Sequence, residues 1–202
     1  MALTRRTFIC FSAGVTAGCS STRIDAIWRG PDTAAVPASK PVLVVGLTRD
    51  ETVRRLYEDA VVATLGRRSV RGVASYRVVS GSLQEGSGER LVAAAREAGA
   101  SLMLSSAIAN GQLVENPGVP GPGWGYARWY ATYWPYVYGP GVFGPNVQLD
   151  RRFVARTTLA DTTDETVIWA AHSSTRNLGS VEHELRDLAD AVVQALHEDR
   201  LV

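Results

Sequence analysis

Pro41-Val-Leu-Val-Val-Gly-Leu47, followed directly by Thr48 and a patterned stretch ending at Gly66, decides the fold class. Seven successive residues without a polar side chain predict a strand buried on both faces, the usual condition in a parallel sheet. Thr48 and Glu51 stand at capping-box spacing. Val53, Leu56, Tyr57, Ala60, Val61 and Leu65 then recur at helical intervals, with arginines and acids between them. This is one apolar stripe on an amphipathic helix, and Gly66 suits its C-terminal stop.

Downstream, residues 74–79 (Ala-Ser-Tyr-Arg-Val-Val) read as a second strand at a sheet edge. The polar, Gly-rich run 80–88 reads as a loop, 89–98 as a short Ala-rich helix stopped by Gly99, and 102–108 as a third strand. Strand, helix, strand, helix, strand predicts parallel pairing with right-handed crossovers. Further on, Val147, Leu149, Phe153, Ala155 and Leu159 alternate with more polar neighbours, as on a long half-buried strand. Residues 161–165 read as a turn and 166–175 as the returning strand of a hairpin, with Trp169 in its middle. Ser180 precedes a final helix with Glu182 and Glu184 in its first turn and the stripe Val181, Leu185, Leu188, Ala189, Val192, Leu196. The expected fold is α/β, with an α+β hairpin half. It has a mixed sheet of about five strands and three helices, the first strand central and the second at an edge.

Upstream the chain carries an address. Arg5 and Arg6 form a short positive region, 7–15 is briefly apolar, and Thr16, Ala17 and Gly18 are small. That order is a secretory signal, too short in its apolar part to span a bilayer. Val15-Thr16-Ala17-Gly18-Cys19 resembles the lipobox of bacterial lipoproteins, in which the cysteine is acylated and the signal is cut just before it. The resemblance implies a signal over 1–18 and a lipidated Cys19 carrying two or three acyl chains. At about 0.8 kcal/mol per buried CH₂, two chains anchor firmly where one does not. Ser20 follows the cysteine, a residue that in Gram-negative lipoproteins favours the outer membrane over inner-membrane retention. Thr4-Arg5-Arg6-Thr7-Phe8-Ile9 also resembles the twin-arginine export motif. General secretory and twin-arginine export both remain open. The expected localisation is the outer membrane, lipid-anchored and facing the periplasm.

The segment 20–40 reads as a tether, so the lipidated tether is set at 19–40 and the single domain at 41–202. It holds Gly30, Pro31, Pro37 and little periodicity, with one apolar cluster of Ile24, Ile27 and Trp28 that could pack on the domain. Without Arg5 and Arg6 the chain has 19 basic against 20 acidic residues. That balance offers no electrostatic case for nucleic acid. Cys10 leaves with the signal and Cys19 takes the lipid, so the mature domain has no cysteine for a disulfide, a nucleophile or a thiolate metal site.

Residues 116–146 are the least ordinary part. They hold six of nine prolines, seven of nineteen glycines, three of five tryptophans and five of seven tyrosines. Trp124, Trp129 and Trp134 recur every five residues, with Tyr126, Tyr130, Tyr133, Tyr136 and Tyr138 between them. Pro and Gly argue against a regular helix or central strand here, and a long structureless insertion is usually functional or disordered. Three readings compete. The aromatics cover one end of the sheet; or Trp124, Trp129, Tyr130, Trp134 and Tyr136 meet a partner, an envelope protein or a glycan such as peptidoglycan; or they rest at the membrane–water interface.

The same sequence lacks the familiar catalytic motifs. It has no Gly-x-Ser-x-Gly elbow and no P-loop, and its only lysine, Lys40, precedes the first strand. Gly121-Pro-Gly-Trp-Gly125 lacks the strand-to-helix context of a phosphate cradle. His172, His183 and His197 form no metal motif, and the acidic pairs read as caps, helix face and turn. No catalytic, cofactor or metal residue is assigned. A carboxylate pair assembled only in three dimensions stays open.

Ala26-Ile-Trp-Arg-Gly-Pro-Asp32, Val42-Leu-Val-Val-Gly-Leu47, Val53-Arg-Arg-Leu-Tyr-Glu-Asp-Ala60, Gly72-Val-Ala-Ser-Tyr76 and the hairpin with Val167-Ile-Trp169 resemble a family of proteobacterial outer-membrane lipoproteins of unknown function. The resemblance implies a periplasmic α/β domain and carries over no catalytic residue. Ala95 to Leu104 more distantly resembles the helix–Gly-Ala–strand step of envelope-assembly lipoproteins. The expected function is a non-enzymatic binding or envelope-assembly module held on the membrane by its lipid. The alternatives are a periplasmic hydrolase and a glycan-binding lipoprotein.

Overall fold

A computed structural model describes residues 22–30, 40–83, 86–110, 125–138, 152–176 and 180–202. The signal 1–18, with Arg5 and Arg6, and Cys19 lie outside them, as do Trp124, Val147 and Leu149. The described chain runs β1 (Thr22–Arg29), β2 (Val42–Leu47), α1 (Glu51–Arg67), β3 (Gly72–Ala74), a 3-10 turn (Ser75–Arg77), α2 (Gly88–Glu97), β4 (Leu102–Asn110), α3 (Tyr126–Tyr138), β5 (Arg152–Asp161), β6 (Val167–Arg176) and α4 (Val181–Glu198).

The mixed α/β class holds. Among the described residues there are six strands and four α-helices, against about five and three expected. The strand order is β1-β6-β5-β4-β2-β3. β2 pairs in parallel with both β3 and β4, while β4–β5, β5–β6 and β6–β1 are antiparallel. β2 is wholly buried, as its apolar run requires, but lies second from an edge and not at the centre. β3 is the edge strand expected of it.

Strand alternation divides the core in two. Val42, Val44, Leu102, Leu104, Leu159 and Trp169 face α1 and α4. Leu43, Val45, Leu47, Met103 and Ala160 face α2 and α3. Helices on both faces are what a sheet with apolar residues on both sides needs.

Four further expectations need correction. The segment read as tether contains β1, which pairs with β6 from Thr22↔Thr175 to Arg29↔Trp169. A bulge between Ile24 and Ala26 puts Ile24 against one core and Trp28 against the other, so the two-residue period is broken. Arg29 pairs with the buried Asp199 carboxylate, which also accepts from Trp169 Nε1 at 2.7 Å. The domain thus begins by Thr22.

The N-cap of α1 is Asp50, whose carboxylate accepts from Thr52 and Val53 N–H; Thr48 is not the cap. The strand expected over 74–79 ends at Ala74. Ser75 and Tyr76 turn instead toward the Glu58 carboxylate, which takes Ser75 Oγ–H at 2.6 Å and Tyr76 N–H at 3.1 Å. Lastly, 126–138 is a helix, although the Pro/Gly content of 116–146 argued against one. Its first nine residues, Tyr126 to Trp134, contain neither Pro nor Gly. Pro135 falls in its last turn, near a C-terminal end where little helix remains to break.

Candidate functional site

α3 is a lid over one face of the sheet. It starts beside the hairpin turn, where Tyr126 N–H donates to Glu165 O at 2.8 Å, and its Val137 carbonyl accepts from Arg49 Nε at 2.8 Å, just past β2. Tyr126, Trp129, Tyr130, Tyr133 and Val137 recur at helical spacing and are all buried. Their rings pack on one another: Tyr126–Trp129 and Tyr130–Trp134 stack with centroids 5.5 Å apart, and Trp129–Tyr133 tilt at 5.2 Å. α2 comes so close that a Cβ on Gly88 would stand 3.3 Å from Tyr130 Cβ.

Of the residues expected to meet a partner, Trp129 and Tyr130 are 0% and 1% exposed. They pack against the sheet as part of the core. Trp134 is half-buried beside them. Trp124 and the Tyr136 side chain lie outside the described residues.

Beneath the lid, β5 and β6 bring Arg156 directly across from His172, next to the pair Thr158↔Ala170. A small cavity of about 10 Å³ separates these residues from Trp129 and Tyr133. Arg156 is 5% exposed, and among the described residues it meets no carboxylate. The His172 imidazole is held below its ordinary value, first by burial and then by the Arg156 charge, with Asp25 opposing. Nothing in the sequence around Arg156 announced this cluster. The one available signal was an arginine inside an otherwise apolar and hydroxyl-bearing strand.

The opposite face carries two polar groupings, both internally satisfied. Glu58 Oε1 accepts from Arg54 Nε at 3.0 Å, Gly46 N–H at 2.9 Å and Ser75 Oγ at 2.6 Å. Gly46 lets α1 come this near, since a Cβ there would sit 3.3 Å from the Tyr57 ring. Tyr57, Ser106 and Thr157 form a hydroxyl chain with links of 2.5 and 2.8 Å. Burial raises the Tyr57 phenol well above its ordinary range, so it stays protonated.

These groups have the content of an acid–base site but not its freedom. The buried carboxylate is held by three side-chain or backbone donors on one oxygen and a fourth on the other. An open groove of about 510 Å³ between α1 and α4 is lined by Thr64, Arg67, Arg68, Asp190 and Gln194, whose polar groups bond one another. His183 lies 3.8 Å from Asp187 and His197 meets the Val202 carbonyl, both on the exposed side of α4. Among the described residues no cluster suits a metal ion, and no helix is long and apolar enough to cross a membrane.

No family model matches the chain, and no curated protein does. Among solved structures, the PelC dodecamer from Paraburkholderia phytofirmans is similar with a TM-score of 0.50 at 14% identity, covering 87% of this chain and 96% of that one. A point variant of that protein in a second crystal form gives a TM-score of 0.48 at 12% identity, covering 85% and 98%. The likeness to the first establishes a shared fold.

Proposed function

We propose that this protein is a lipid-anchored envelope module that binds and assembles and does not catalyse. It sits on the periplasmic side of the outer membrane, with its sheet held close to the lipid. The observation that carries this reading is the start of β1 at Thr22, three residues after Cys19. Three residues extend at most about 11 Å. An acylated Cys19 therefore keeps the Thr22 end of the sheet near the membrane surface and does not let the domain swing on a long tether.

The same end of the sheet carries the line Thr22, Thr175, Phe153, Asn110 across four paired strands. Asn110 ends β4 and Arg152 begins β5, so the Pro/Gly-rich stretches that flank α3 join the sheet there. Within α3, Tyr126, Trp129, Tyr130 and Tyr133 are committed to the core. The closed bonding of Glu58 supports a non-catalytic reading.

Self-assembly is the second half of the proposal. The similar PelC fold is a dodecamer, and copies of this domain, each anchored at its Thr22 end, would lie side by side on one membrane.

Fatty-acid labelling in cells tests the anchor. The natural chain takes label and Cys19→Ala does not, leaving an unprocessed precursor; undiminished label in the variant contradicts the reading. Native mass spectrometry of the detergent-extracted protein tests assembly. A closed oligomer is expected, and a monomer at all concentrations contradicts that half.

A further inference from the structure

Trp129 Nε1, Arg156 Nε, Thr158 Oγ1 and His172 Nε2 are buried polar atoms without a hydrogen-bond partner among the described residues. All four residues line one small cavity between α3 and the β5–β6 ladder. Orphaned buried polar atoms are uncommon in folded proteins, and four around one void indicate something that fills it. The indole and guanidinium nitrogens only donate, and the threonine hydroxyl can.

Charge decides what the filler is. An arginine side chain stays charged inside proteins, so burial cannot neutralise it as it could a lysine. Leaving a charge buried and unpaired costs several kcal/mol even after relaxation. A water in the cavity could take the two obligatory N–H groups and return two bonds to Thr158 and His172. It would leave the positive charge uncompensated. A monatomic anion accepts from all the donors and cancels the charge. About 10 Å³ admits one small particle, which rules out a carboxylate or phosphate ligand.

We propose that this cavity binds one halide ion, chloride under ordinary conditions, held by Arg156 Nε–H, Trp129 Nε1–H and Thr158 Oγ–H, with the Nε2–H tautomer of His172 as the fourth donor. The ion ties the aromatic helix to the sheet, because Trp129 belongs to α3, Arg156 and Thr158 to β5, and His172 to β6. Docking of α3 thereby depends on the anion present.

The test uses the mature protein in detergent with bromide as the probe, titrated against gluconate at constant ionic strength. The unfolding temperature rises saturably with bromide, and crystals grown in bromide show one anomalous peak within hydrogen-bond distance of Arg156 Nε and Trp129 Nε1. Thr158→Val keeps the shape, removes one donor and weakens the bromide constant several-fold. Arg156→Leu abolishes the saturable shift. Equal unfolding temperatures in the two salts, or a cavity holding water without an anomalous peak, would overturn the proposal. If Arg156→Leu does not fold, the bromide map of the natural chain and the Thr158→Val titration decide it.

Discussion

Arg54 and Glu58, one helical turn apart on α1, form an ion pair 3.0 Å long in which both side chains are at most 2% exposed. The pair is the hub of its corner: Arg54 Nη2 also donates to Ser75 Oγ, and Glu58 fastens the ends of β2 and β3. Glu58→Gln should therefore lower unfolding stability by about 3–5 kcal/mol, the usual cost of leaving one member of a buried pair uncompensated. Glu51 pairs with the same arginine from a half-exposed position, and Glu51→Gln should cost less than about 1 kcal/mol. Urea unfolding of both variants measures the difference. Equal losses would contradict the account of the corner.

Trp129 is a core residue, so its truncation should act on stability. Trp129→Ala is expected to cost about 3–5 kcal/mol, the range for removing a large buried aromatic. Replacing 126–138 by a Gly/Ser linker should leave the face over Leu43, Val45 and Met103 uncovered and the protein unfolded or aggregated. Denaturant unfolding and size exclusion check both. A Trp129→Ala protein of undiminished stability that fails only to bind a partner would restore the surface reading.

The pattern around β2 and α1 was legible because buried parallel strands and amphipathic helices each impose one strong period. β1 was not, because its bulge at Asp25 switches faces mid-strand. α3 was hidden by averaging: Pro and Gly crowd the ends of 116–146, while Tyr126, Trp129, Tyr130, Tyr133 and Val137 already kept a helical period within it. The five-residue recurrence of Trp124, Trp129 and Trp134 is not the spacing of the buried face. Ser75 and Tyr76 left the expected strand to satisfy a carboxylate seventeen or more residues earlier, which no local window contains. The cavity beside Arg156 needed the β5–β6 register and a helix from elsewhere in the chain. No spacing rule joins those residues.

His172 gives the fold a pH dependence of known sign. Burial and the Arg156 charge lower its folded value, while Asp25 opposes them. The unfolded imidazole titrates near about 6.5. Its contribution to stability is full above that value and is lost as pH falls through it toward the lower folded value, because the unfolded chain binds the proton first. Unfolding midpoints measured from pH 8 down to 5 should fall less steeply in His172→Gln than in the natural chain. A steeper fall in the variant would contradict the assigned direction.

The close coupling of the sheet to the lipid is tested most directly by depth. On the proposed processing Cys10 would leave with the signal and Cys19 would be acylated, so Arg23→Cys or Thr163→Cys would introduce the sole free thiol for a fluorophore. Both positions are exposed. They lie at opposite ends of the sheet, separated along ten-residue β5 by about 30 Å. The lipidated protein is reconstituted in vesicles bearing a quencher on the lipid headgroups. The account predicts strong quenching at position 23 and little at position 163. Equal quenching at both, or stronger quenching at 163, would contradict it.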